Sequence, residues 1–187
     1  MKAILGVSNR HVHLTEDDYI VLFGNNNIEN QKNLVQTGEF ASSSKVSLKT
    51  EKNIISNVRV LGPFRSYTQV EISKTDSYFL GLNPPVRNSG DIDYSAEITI
   101  IGPCGEIKKC CCIIATRHLH INHEDREKLG LLNIEQISIK VGNDIKSSIL
   151  NNVFIKETEK GVLEVHLDTD DANGNLLKTG DEVELII

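Results

Sequence analysis

The sequence contains no apolar run long enough to span a bilayer, which argues against a membrane-spanning helix. It has no surplus of positive charge. Twenty Lys and Arg stand against 26 Asp and Glu, a formal net charge of -6. A surface with that balance does not bind nucleic acid or an anionic membrane broadly, although a small basic pocket for a phosphorylated ligand stays open to it. Cysteine is scarce and badly spaced for cross-linking. Of the four, Cys110, Cys111 and Cys112 are contiguous and Cys104 lies nearby, which fits neither a disulfide framework nor a Cys-x-x-Cys zinc knuckle. The run leads into Ile113-Ile114-Ala115 and reads as buried strand, where a free thiol acts as a small hydrophobe. A soft-metal role for Cys110 and Cys112 on one strand face is the alternative. No linker or low-complexity segment divides the chain. Met1 to Val7 is too short for a signal peptide, and the expectation is a cytoplasmic protein.

What is present is an ordinary globular composition, 39% apolar and 25% charged over 187 residues, enough for one domain or two small ones. Within it stands a repeated tetrapeptide. Arg10-His11-Val12-His13 and Arg117-His118-Leu119-His120 hold four of the six histidines. Alternate residues of a strand share a face, so each His-x-His projects two imidazoles side by side toward one metal ion. Each copy follows an apolar strand and precedes a capping residue with an acidic first turn: Thr15-Glu16-Asp17-Asp18 in one, Asn122-His123-Glu124-Asp125 in the other. The second helix is expected to stop at Gly130. This is the pattern of an internal duplication.

Strand signals dominate the rest. Val46–Thr50, Val58–Leu61, Gln69–Ile72, Glu97–Ile101 and Ile137–Val141 are short, β-branched and often alternating, with Gly62-Pro63, Asn83-Pro84-Pro85, Gly102-Pro103 and Asn173-Gly174 between or after them. Many short strands with close turns predict small barrels and a mostly β fold. Further polar residues stand out: Arg65 in a turn and Glu71 in the strand after it, Arg87 and Ser89 in a loop, and His166 at the end of an apolar strand. Five histidines and a glutamate supply nitrogen and carboxylate donors for two zinc ions with positions left for substrate. The bland readings are that Glu71 is a solvated strand residue, that Arg65, Arg59, Arg87 and Lys32 are surface cations, and that Glu164 to Asp171 is an acidic turn.

In order, Val7 to Leu14, Asn57 to Pro63 with Arg65 and Thr68 to Ser73, Leu80 to Asn83, Pro85 to Asp91, Ile113 to His120 and His166 to Asn173 form six blocks. Together they resemble the PduL-type phosphotransacylases, or phosphate propanoyltransferases, over nearly the whole chain. The resemblance implies two small β-barrels capped by short helices, one from residues 10–116 and one from 1–9 with 117–187, with a two-zinc site at their interface. It implies His11, His13, Glu71, His118, His120 and His166 as metal ligands and Arg65 as the catalytic phosphate clamp. Ser8, Lys32, Arg59, Ser89, His166 and Asn173 would line the coenzyme A site. The implied reaction converts acetyl- or propanoyl-CoA plus phosphate into acyl phosphate plus CoA, by direct attack of phosphate, in a homodimer. The cysteine run and His123 gain no role from it.

Two other classes fit parts of the pattern. A zinc-dependent hydrolase on a cupin-like barrel also uses His-x-His, but Glu16 comes too early for its glutamate. The larger amidohydrolase barrel needs more chain and an alternating strand–helix order. A non-catalytic metal-binding module would need neither Arg65 nor Arg87 near the metals.

Overall fold

A computed structural model describes all 187 residues, Met1–Ile187. The strands are β1 (Lys2–Ser8), β2 (His11–His13), β3 (Asn30–Asn33), β4 (Phe40–Lys49), β5 (Ile54–Gly62), β6 (Gln69–Glu71), β7 (Val86–Arg87), β8 (Ala96–Ile101), β9 (Glu106–Ala115), β10 (His118–Ile121), β11 (Gln136–Gly142), β12 (Ser147–Glu157), β13 (Glu164–Asp168) and β14 (Glu182–Ile186). Four short helices intervene: α1 (Glu16–Phe23), α2 (Lys74–Leu80), α3 (His123–Lys128) and α4 (Thr169–Gly174). The chain forms two compact units, one of residues 1–9, 35–37 and 116–187, the other of residues 10–34 and 38–115.

The first unit is a closed barrel in the order β1-β13-β10-β12-β11-β14. Its interior is filled by alternate residues. In β11, Ile137, Ile139 and Val141 are buried while Gln136 and Lys140 are exposed. Val183 and Leu185 do the same for β14, and Leu5, Leu119, Val153 and Val165 complete the core. The second unit also closes: β4-β5-β2-β6-β9 form consecutive pairs, and β8 pairs with both β4 and β9. Strands β3 and β7 add to the outside of this ring, on β4 and β9. Val12, Leu48, Val60, Val70, Ile98 and Ile100 fill it. Closure removes the open edges that short strands otherwise expose.

The two rings are one plan used twice. Strand β2 lies between β5, parallel, and β6, antiparallel. Strand β10 lies between β12, parallel, and β13, antiparallel. The strands that lead into the two histidine motifs are exchanged. β1 precedes the first motif but pairs in parallel with β13, whereas β9 precedes the second motif and pairs in parallel with β6. The duplication visible in the sequence is therefore strand-swapped.

Both anticipated helix caps form. Thr15 accepts from the Asp18 amide and Asn122 from the Asp125 amide. Helix α3 ends on Leu129, and Gly130 takes the left-handed turn one residue later at φ 70°. Helices α2 and α4 are additional to the sequence expectation, each only two turns or less. A capping box of Ser73 and Asp76 starts α2, and Asp168 caps α4.

The cysteine run divides. Ala96 faces Cys112 and Glu97 faces Cys110, so Cys111 is the extra residue of a bulge. The bulge breaks alternation and lets Cys111 and Cys112 both point inward, at 1% and 0% exposure. They are the expected core filler. Cys104 and Cys110 are exposed.

Candidate metal centre

Two clusters of three metal-type donors stand at equivalent places in the two units. In the second unit these are His11 and His13 of β2 and Glu71 of β6, with one ligand atom of each lying within 4.8 Å of the others. All three are buried. Antiparallel pairing sets His11 directly opposite Glu71, and His11 Nε2 lies 3.5 Å from Glu71 Oε2. The other carboxylate oxygen is held from behind. Gln69 Nε2 donates to Glu71 Oε1 at 2.6 Å and Ser89 Oγ donates to it at 2.8 Å. Gln69 is in turn fixed by the Gly90 amide, which donates to its Oε1 at 2.8 Å. One oxygen anchored and one turned to the imidazole is how an outer shell orients a carboxylate ligand.

In the first unit the donors are His118 and His120 of β10 and His166 of β13, again within 4.8 Å of one another, with His118 opposite His166. The Nε2 atoms of His118 and His120 face each other at 3.1 Å. His118 Nδ1 lies 2.9 Å from the Thr116 carbonyl. A carbonyl only accepts, so the proton sits on Nδ1 and Nε2 offers its lone pair to the cluster. His166 Nε2 meets Glu164 Oε2 at 2.9 Å, and Gln36 Nε2 donates to the same oxygen at 2.7 Å. Glu164 is 3% exposed. Burial pushes its carboxyl up, but the hydrogen bond and charge of His166, the Gln36 donor and the nearby His118 outweigh burial and hold it below the usual carboxylate range. Gly6 makes the crowding possible: a Cβ there would lie 2.6 Å from Glu164 Oε1 and 2.8 Å from the His166 ring.

Each cluster presents three nitrogen or oxygen donors, the number that a catalytic zinc site uses while one position stays open. The His₃ and His₂Glu sets, their mutual closeness and their hydrogen-bonded backing all fit zinc.

Arg65 follows β5 by a short turn and is largely buried. Its NH2 donates to Glu39 Oε1 at 2.7 Å and its NH1 to the Tyr67 hydroxyl at 3.1 Å. Arg59 is the neighbour of His11 across β5 and β2, with NH1 donating to the Ser42 carbonyl at 2.6 Å and to Gln31 Oε1. Ser89 joins the first triad through Glu71. Lys32 is an exposed residue of β3. In the other unit Ser8 pairs with Asp168, the cap of the helix that carries Asn173. His123 is a surface residue paired with Glu157 at 2.9 Å. Arg87 reaches the Asp93 carbonyl and the Asp91 carboxylate.

Sequence reasoning missed Glu164, Gln36 and Gln69 as supports of the clusters. The available signal for Glu164 was its spacing. It stands two residues before His166 in a strand and so shares that histidine's face.

A profile of the family described as phosphate propanoyltransferase matches residues 4–178. The phosphate propanoyltransferase of Thermotoga maritima is 44% identical over 185 residues, spanning 98% of this chain and 88% of the relative. That of Rhodopseudomonas palustris is 40% identical over 183 residues, with 97% and 80% spanned. That of Salmonella typhimurium is 40% identical over 170 residues, with 90% and 81% spanned. The chain belongs to the phosphate propanoyltransferase family, and it is an acyltransferase enzyme.

Proposed function

We propose that this acyltransferase interconverts a short acyl-CoA plus phosphate with acyl phosphate plus CoA, using two zinc ions, one in each triad. A phosphate oxygen forms a bond to the thioester carbonyl carbon, the carbon–sulfur bond breaks, and the sulfur leaves as thiolate. The observation that carries this reading is the pair of three-donor clusters, one per barrel, in matching register. Zinc, when bound, supplies a Lewis acid able to stabilise the departing thiolate or polarise the carbonyl.

The chain's own residues supply the rest. Arg65 is the phosphate clamp. Its planar guanidinium is oriented by Glu39 and Tyr67, and a guanidinium gives phosphate parallel hydrogen bonds as well as charge. Lys32 and Arg59 offer positive charge to the phosphates of CoA, with Ser8, His166 and Asn173 along the same ligand, whereas Ser89, first expected there, backs Glu71. Phosphate attacks directly, without an acyl-cysteine. Burial pushes the Cys111 thiol up to about 12 and raises that of Cys112 further, and a buried thiol kept protonated is no nucleophile at neutral pH. Acetyl and propanoyl differ by one methylene, so a single pocket accepts both with modest preference. The reading includes a homodimer, which light scattering measures directly, and a cytosolic location.

Thiol release from propanoyl-CoA and acetyl-CoA, with and without phosphate, tests the reaction. Strict phosphate dependence with hydroxylamine-trappable acyl phosphate supports it. Equal thiol release without phosphate identifies a hydrolase, and no turnover by zinc-loaded protein points to a non-catalytic module.

A further inference from the structure

Both histidine motifs begin with arginine, and metal ligation leaves that arginine unexplained. In the structure the two arginines do the same thing. Arg10 Nε donates to Asp76 Oδ2 at 2.9 Å while its NH2 lies 2.8 Å from Oδ1. Arg117 Nε donates to Asp171 Oδ2 at 2.6 Å while its NH2 donates to Oδ1 at 2.8 Å. The prongs correspond atom for atom. The aspartates correspond as well, each in the first turn of the helix that directly follows the strand bearing the third donor. Glu71, the cap Ser73 and Asp76 repeat the spacing of His166, the cap Asp168 and Asp171. Arg10 immediately precedes His11 and Arg117 immediately precedes His118, and those histidines stand opposite Glu71 and His166.

We propose that Arg10 with Asp76, and Arg117 with Asp171, are paired positioning residues, each fixing the third donor of its own triad against its own His-x-His. The inference rests on the metal reading above. A two-pronged guanidinium–carboxylate contact sets orientation as well as distance, which a lysine's single point charge does not. Each lock ties the start of a ligand strand to the helix turn just beyond the facing ligand. The donor pair is thereby braced on its helix side. In the second unit the opposite side is braced by Gln69 and Ser89. Asp76 is 5% exposed, so the carboxylate half of this lock is buried while the Arg10 side chain keeps access to solvent. Arg117 also donates to the Asn151 carbonyl at 2.9 Å, which braces it against the strand next to β10. Supporting shells of this kind change metal affinity by roughly 10- to 100-fold when broken.

The test is zinc titration of the full chain against a chromophoric chelator. Wild type is measured first, then Arg10→Lys and Arg117→Lys in backgrounds that keep one triad, His120→Ala or His13→Ala. Arg10→Lys is expected to weaken zinc roughly 10- to 100-fold at the His11–His13–Glu71 cluster and to leave the other cluster within about twofold. Arg117→Lys is expected to do the reverse. Asp76→Glu and Asp171→Glu, which keep the charge but move it, serve as second probes, with circular dichroism recorded for each. Zinc-binding wild type with variants that leave both affinities unchanged, or that weaken both sites equally, overturns the proposal alone. Wild type that takes up no zinc overturns it together with the metal reading.

Discussion

Ser89 donates its hydroxyl proton to the Glu71 carboxylate at 2.8 Å. The contact joins a loop residue to a strand residue that the first triad needs. Gln69 lies between them, with its Nε2 on Glu71 Oε1 at 2.6 Å and 3.1 Å from Ser89 Oγ. Ser89→Ala removes a donor from that oxygen. Zinc affinity is expected to fall roughly tenfold, with KM for acyl-CoA nearly unchanged. A raised KM for acyl-CoA with unaltered zinc binding would assign Ser89 to the coenzyme instead.

Glu164 plays the corresponding part for His166. Glu164→Gln keeps the size and removes the negative charge that backs the imidazole. Zinc at the three-histidine cluster is expected to weaken by roughly 10- to 100-fold, and a titration in the His13→Ala background reads that cluster alone. Unchanged zinc affinity would make Glu164 a core residue with no part in ligation.

Arg65→Lys keeps the charge and loses the forked donor set. Loss of a charged hydrogen bond of about 1.5–3 kcal/mol corresponds to roughly a 10- to 100-fold higher KM for phosphate. Steady-state kinetics varying each substrate separately check this, with KM for acyl-CoA expected within about twofold of wild type. An equal rise in both constants would show that Arg65 supports the fold of the site and does not hold phosphate.

The thiols give a prediction with a definite sign. Burial raises Cys111 to about 12 and Cys112 further, from the ordinary value of 9.0. Above pH 9 the unfolded chain loses these protons while the folded chain keeps them, so stability falls as pH rises. The slope is at most about 1.4 kcal/mol per pH unit for each thiol. Urea midpoints between pH 8 and 10 are expected to drop less in the Cys111→Ala/Cys112→Ala protein than in wild type. Thiol titration of folded wild type with a disulfide reagent is expected to count Cys104 and Cys110 quickly, and the buried pair only on unfolding.

The clusters were legible because their chemistry is local. His11 with His13, and His118 with His120, need only the two-residue period of a strand to share a face. The caps Thr15 and Asn122 were legible for the same reason, a side chain bonding an amide three residues on. Helices α2 and α4 left only the Ser73–Asp76 and Asp168–Asp171 spacings as signals, being too short for a helical hydrophobic period. The pairing of Arg10 with Asp76 and of Arg117 with Asp171 joins residues far apart in the chain. Neither local pattern states its partner. The exchange of β1 and β9 was hidden likewise. An apolar strand reads the same whichever barrel it enters, and its parallel partner is chosen by long-range packing. The burial of both Cys111 and Cys112 depended on a bulge, which alternation alone cannot foresee.

The most direct measurement is an anomalous difference map recorded above the zinc absorption edge, from crystals of the zinc-loaded protein. Two peaks are expected, one within coordination distance of His11, His13 and Glu71 and one within coordination distance of His118, His120 and His166. A single peak, or zinc bound elsewhere with both triads vacant, would contradict a metal centre in each barrel.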